Sequence, residues 1–260
     1  MNPISLKSEN PVLFHSSILI ILLAAVTSLG LVFDTRLVMG DNPWIKPIKF
    51  DLSFAIYFLT IAWIMTALPS SLARKLSVYI AALMWIELAA IYFQAARAVP
   101  SHFNDKTLLD GIMYGIMGLA IVGNTAVVGY ILYFLVKKPT ATPVLRLRAF
   151  QYGLVSFLVG SILGGYSMVI HGAHTVGAPD GGPGLPFLKW STVAGDLRIA
   201  HFIGLHGIQI LVGLGIVLES SLLSTNSHRQ ALFILKAVFV LILLFVASTF
   251  ILAAFGTPLS

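Results

Sequence analysis

Ionisable and hydrogen-bonding side chains sit inside runs of this chain that are otherwise apolar, and those residues are where chemistry is to be sought. Burying a charge in a bilayer is costly, so each such group is a functional candidate by default. Glu87, Gln94 and Arg97 fall in one apolar run. Seven residues bring Gln94 back to within about 20° of Glu87 on an ideal helix, and Arg97 follows three later, so the three share one stripe. The stripe is either an internal Glu–Gln or Glu–Arg link that holds helices together or a path for a proton or ligand. Glu87 and Arg97, about 15 Å apart along the helix, are too distant to pair directly. They are the candidate catalytic pair, with Glu87 as a buried proton carrier or charge partner.

Five of the seven histidines fall on the expected outer side and would make an outward-facing site: His102, His171, His174, His201 and His206. Imidazole is the commonest transition-metal ligand and a frequent axial ligand of haem. His171 and His174, three apart, share a helix face if the helix reaches them. His201 and His206 are five apart, about 140° around the helix, which disfavours joint ligation of one ion. A non-haem site wants three or four ligands, and all five histidines are candidates for it. A six-coordinate haem wants two histidines on different helices, and His171 or His174 with His206 would serve. Tyr166 and Gln209, on the same helices, could orient the imidazoles. Counted by depth, His206 lies two turns down its helix and Glu87 at a similar level, so Glu87, His171 and His206 are expected near one pocket. The plain reading of each histidine is a hydrogen bond to a neighbouring helix. No H-E-x-x-H occurs, so no zinc protease is indicated.

The elements that must position these groups follow from composition. Of 260 residues, 58% are hydrophobic and only 10% charged, against about 25% charged in soluble domains. That excludes a soluble enzyme and a disordered chain, and makes this an all-α, polytopic transmembrane bundle. With no Cys, disulfides and thiolate sites are excluded. The excess of 16 basic over 10 acidic residues reads as membrane topology, with no nucleic-acid partner. Seven runs reach the roughly 20 residues a span needs: about 13–33, 50–68, 76–98, 111–136, 149–171, 198–222 and 231–256. They form a single transmembrane domain, the first run being an uncleaved span rather than a signal peptide.

Lys7, Arg74, Lys75, Lys137, Lys138, Arg146, Arg148 and Arg229 lie on one side with Glu9 as the only acid, while basic residues on the other side are mixed with aspartates. The positive-inside rule then places the N-terminus inside and the C-terminus outside; the membrane expected is a bacterial inner membrane. The long 172–197 loop, rich in Gly and Pro, is expected to be an ordered outer cap. Gly111 with Gly115, and Gly160 with Gly164, have the spacing that lets helix backbones approach. Asp196 reads as an N-cap, Asn124 as an interhelical hydrogen-bonding group, and Lys46, Lys49 and Asp51 as interfacial anchors beside Trp44.

VPSHFN at 99–104, PDGGPGLP at 179–186, GDLRIAHFIGLHGIQ at 195–209 and NPWIKPIKF near the second span together resemble a group of uncharacterised bacterial multi-span membrane proteins. The resemblance runs over most of the chain and implies the span organisation, with no activity attached. GLHGIQILVG also resembles a helix of the third subunit of cytochrome oxidases, over about ten residues, a length that coincidence supplies.

Three functions follow as expectations. The first is a redox protein binding haem b or a transition metal (Fe, Cu or Zn) at the histidines and acting on a quinol or other lipid-soluble substrate. The second is a transporter of a small solute, ion or proton, its path lined by Glu87, Gln94, Arg97 and the histidines. The third is a non-catalytic subunit of a homo-oligomer or larger membrane complex.

Overall fold

The computed structural model describes residues 3–220 and 225–259. Seven helices are long and apolar enough to cross a membrane: Pro11–Phe33, Ile45–Met65, Ser70–Ala96, Leu108–Lys137, Val144–His171, Leu197–Ser220 and Ser227–Ala254. They are called spans one to seven. The end of the expected 198–222 run lies outside the described residues. Large apolar side chains point outward along the spans, among them Leu119, Ile170, Phe233 and Leu241. Such a surface is stable only against lipid. The protein is a multi-pass membrane protein.

Local chemistry sets where the helices begin and end. Asn10 caps span one, its side chain accepting from the Leu13 amide at 3.3 Å, with Pro11 in the first turn. Pro69 and Pro143, both in polyproline conformation, precede spans three and five. Span one is interrupted after Thr27 and resumes at Gly30. Span five carries a π-helical stretch at Ser161–Tyr166 and stops at Gly172, whose φ of 73° is left-handed.

The chain divides into two compact units, Met1–Val127 and Val128–Ser260. In the first, buried polar bonds tie the helices. Asn10 Nδ2 donates to Ser77 Oγ (2.7 Å), Ser17 Oγ to the Ala55 carbonyl (2.9 Å) and Tyr57 Oη to Asn124 Oδ1 (2.8 Å). The last of these is the interhelical bond expected of Asn124.

In the second unit, spans five, six and seven pack around Leu145, Ala149, Leu211, Leu235 and Val246. Ser156 Oγ donates to the Gly204 carbonyl (2.9 Å), and Tyr152 stacks on Phe239 at 4.4 Å. Arg146 grips Glu219 through Nε and Nη2, both at 2.9 Å. Glu219 therefore sits on the same side as Arg146, and Glu9 is not the only acid there.

The loop between spans five and six is built as a cap. Strands β1 (Thr175–Val176) and β2 (Gly195–Asp196) pair antiparallel. Asp180 is its hub. The amides of His174 and Thr175 donate to its carboxylate, as do the Thr175 hydroxyl and His174 Nδ1 (2.6 Å). Burial pushes this carboxyl up, but the donors outweigh it and hold it well below the usual carboxylate range. A depressed folded-state pKa means the contribution to stability is complete above the unfolded value near 4 and is lost as pH falls through the folded value. Asp180→Ala is therefore expected to open residues 174–192 to hydrogen exchange throughout neutral pH. The wild-type cap should stay protected to below about pH 4. Equal exchange in the two proteins at neutral pH would remove Asp180 from this role.

Candidate functional site

The first unit holds two carboxyl groups at membrane depth. Asp51 is six residues into span two, about 9 Å from its start, and Glu87 is nine residues before the end of span three, about 14 Å in. Both helix ends lie on the same side of the unit. Asp51 is 0% exposed and Glu87 3%. Asp51 Oδ1 and Glu87 Oε2 are buried with no hydrogen-bond partner. Orphaned buried polar atoms are rare because each costs about 1–3 kcal/mol, more when charged. Trp63 Nε1 in the same unit is likewise unpartnered, but Asp51 and Glu87 are the two of these groups that can carry a charge or a proton.

The other Asp51 oxygen is engaged. Tyr92 Oη donates to Asp51 Oδ2 at 2.6 Å, and Thr27 Oγ1 lies in hydrogen-bond contact with Tyr92 Oη. Thr27 Oγ1 is also bonded to the Leu23 carbonyl at 2.8 Å. The Tyr92 ring faces Trp44, centroids 6.1 Å apart. Trp44 in turn lies flat against Gly30, where a Cβ would come within 2.5 Å of the indole. Trp44 Nε1 donates to Asp34 Oδ2 (2.8 Å), and Arg36 clasps the same carboxylate. These bonds, Arg36 foremost, hold Asp34 well below the usual carboxylate range. Leu29, Phe33, Asp34, Arg36 and Trp44 line an open groove of about 450 Å³. A series of contacts thus runs from that groove to Asp51, polar at each end and ring against ring between Trp44 and Tyr92. Deeper in the unit, Glu87 lies within electrostatic reach of Lys46 and of the Tyr57 hydroxyl.

Asp51 corrects the anchor reading, because it is inside the unit and not at the interface. The expected span began near residue 50, which left Asp51 at its edge; the helix in fact starts at Ile45, five residues earlier, and carries Asp51 inward. Thr27 and Tyr92 carried no sequence signal, since Tyr92 stands about 140° from Glu87 on the helix and off its stripe. Arg97 and Gln94 do not serve Glu87. Arg97 Nη1 donates to Asp110 Oδ1 and Gln94 Oε1, both at 2.6 Å, and Gln94 Nε2 donates to Asp110 Oδ1 at 3.0 Å. With Thr107 Oγ1 on the other Asp110 oxygen at 2.6 Å, this is a latch between the end of span three and the start of span four. His102 is in the first unit too, among Phe50, Phe103 and Tyr114, with Nδ1 at 3.1 Å from Ser101 Oγ.

The other four candidate histidines belong to the second unit. His174 is held by Asp180, as described. His171 Nε2 is 3.0 Å from the Thr175 carbonyl, and the residue is exposed. His201 Nδ1 bonds the carbonyl of Gly160, immediately before the π-helical stretch, at 3.1 Å. His206 packs against Phe202, ring centroids 4.3 Å apart, with the Gln209 amide beside it. His201 lies within electrostatic reach of both His206 and His174. Tyr166 points outward, 63% exposed. Among the described residues no three His, Asp or Glu side chains are grouped so as to hold a metal ion.

No protein family, curated protein or solved structure matches this chain.

Proposed function

We propose that this multi-pass membrane protein moves a small cation, a proton or a monovalent metal ion, through its first unit by way of Asp51 and Glu87. The observation that carries this reading is the pair of membrane-buried carboxyl groups, each with an oxygen that lacks a partner. Intramembrane carboxyl groups of this kind are typical of ion and proton pathways. The groove at Asp34 and Trp44 supplies an entrance on one side, with Tyr92 between it and Asp51. The positive-inside charge pattern puts that side outside the cell and the N-terminus in the cytoplasm. With the resemblance to bacterial multi-span proteins, the membrane we propose is a bacterial inner membrane.

Purified full-length protein in proteoliposomes tests the reading. An entrapped pH dye and sodium- and potassium-sensitive probes follow flux down imposed gradients. Dissipation of a proton, sodium or potassium gradient above that of empty vesicles is the expected result. No flux of any of these ions overturns it. An absorption spectrum and elemental analysis of the same sample decide against the redox alternative. A Soret band with iron, lost in His206→Ala, would move the function to the histidines.

A further inference from the structure

The chain of hydroxyl groups behind Asp51 does not balance in hydrogens unless one more is added. Three oxygen–oxygen contacts run in series: Leu23 carbonyl to Thr27 Oγ1, Thr27 Oγ1 to Tyr92 Oη, and Tyr92 Oη to Asp51 Oδ2. The threonine and tyrosine hydroxyls bring one hydrogen each. An ionised carboxylate and a carbonyl bring none. Two hydrogens cannot fill three contacts, and two oxygens in hydrogen-bond contact need a hydrogen between them. A proton on Asp51 Oδ2 fills all three. Asp51 then donates to Tyr92, the reverse of the Tyr92-to-carboxylate bond of the ionised form, while Tyr92 donates to Thr27 and Thr27 to the Leu23 carbonyl. Asp51 Oδ1 becomes a carbonyl oxygen, which is cheaper to leave unpaired in a buried site than a charged one.

The charged groups on the elements packed around Asp51 are these. Lys46 and Lys49 share the Asp51 helix, Glu87 lies on span three, and Asp34 and Arg36 bind one another. The side-chain interaction acting on Asp51 is that of Tyr92.

We infer that Asp51 is a proton-binding site whose occupancy sets the direction of the Tyr92–Thr27 hydroxyl chain, so that the cation carried is the proton. This rests on the cation-path reading for its purpose and goes further in naming the ion. When the proton leaves Asp51, Tyr92 turns its hydrogen to Asp51 Oδ2 and Thr27 turns its own to Tyr92. The Leu23 carbonyl then loses its hydroxyl partner. Loss of one proton therefore reverses two hydroxyls and releases a contact inside span one, next to the break at Ser28 and Leu29. Nothing is oxidised or reduced, and no bond other than O–H is exchanged. Tyr92 and Thr27 are positioning residues.

Infrared difference spectroscopy on the full-length protein in lipid at neutral pH tests this without any transport assay. A carboxylic C=O band that shifts in D₂O is expected, and it should vanish in Asp51→Asn. Tyr92→Phe removes its hydrogen-bond partner and should move the band to higher frequency. Thr27→Val leaves the shape of span one intact, removes the acceptor of the Tyr92 hydrogen, and should also shift the band. An Asp51-dependent signal that is purely carboxylate overturns the inference. So does a carboxylic band that neither Tyr92→Phe nor Thr27→Val moves. If Asp51→Asn does not fold, aspartate carboxyl ¹³C shifts in the other two variants give the same decision. Because protonation is read directly, a protein with the band and no flux would sink the transport reading and the naming of its ion, and leave the proton on Asp51 standing.

Discussion

Glu87→Gln should slow cation flux in proteoliposomes about tenfold or more. Glutamine keeps the length, shape and polarity of the side chain, so packing in span three is preserved. It removes the ability to take on a proton or neutralise a cation. Glu87 is buried about 14 Å along its helix, and its free oxygen has no protein group to substitute for it. A tenfold loss needs only about 1.4 kcal/mol on the slowest step, which is small beside the cost of carrying an uncompensated charge through that depth. Asp51→Asn should have a comparable effect. Glu219→Gln provides the control, because that carboxylate is clasped by Arg146 in the second unit and has no part in the proposed path. Flux through Glu87→Gln equal to wild type would end the case for this route, whatever the carboxyl group's protonation state.

Gly160→Leu should cost the second unit about 3–5 kcal/mol, combining overpacking with lost buried hydrogen bonds. A Cβ at Gly160 would stand 2.6 Å from Gly204 Cα and 2.8 Å from both the Gly204 carbonyl carbon and the Leu205 nitrogen. All three are backbone atoms, so no rotamer change relieves the clash. Spans five and six would have to separate. That would break the bond from Ser156 to the Gly204 carbonyl and the bond from His201 to the Gly160 carbonyl. Gly111→Leu is the comparison, since nothing lies within 4 Å of a Cβ there. Thermal unfolding in detergent should show a large drop for the first variant and little change for the second. Equal melting temperatures would mean that the close approach of spans five and six does not govern stability.

The two glycine pairs show how far the pattern could be read. Both have the four-residue spacing, but Gly160 and Gly164 meet Gly204 and His201 on span six, while Gly111 and Gly115 meet nothing within 4 Å. Spacing puts small residues on one face of a helix. Which face turns to a neighbour depends on the partner. The polar residues behave alike. Asn124 and Asp196 do what their types and positions indicated, the latter capping span six by accepting from the Arg198 amide at 3.0 Å. Arg97 shares a stripe with Glu87 and is instead paired to Asp110, thirteen residues further on.

From the residues alone came the seven membrane-crossing helices, because helix length against bilayer thickness and the scarcity of charge are properties of each segment by itself. Glu87 was legible for the same reason, as an ionisable group inside an apolar run. What required the folded chain was the company each group keeps. Thr27, Asp51 and Tyr92 come from three different spans, and the hydrogen bonds joining them depend on how those helices rotate and dock. Four of the histidines each found a partner of their own: Ser101, the Thr175 carbonyl, Asp180 and the Gly160 carbonyl. Side chains distant in sequence meet only through packing, and no spacing rule along one strand of sequence encodes the angle at which two helices cross.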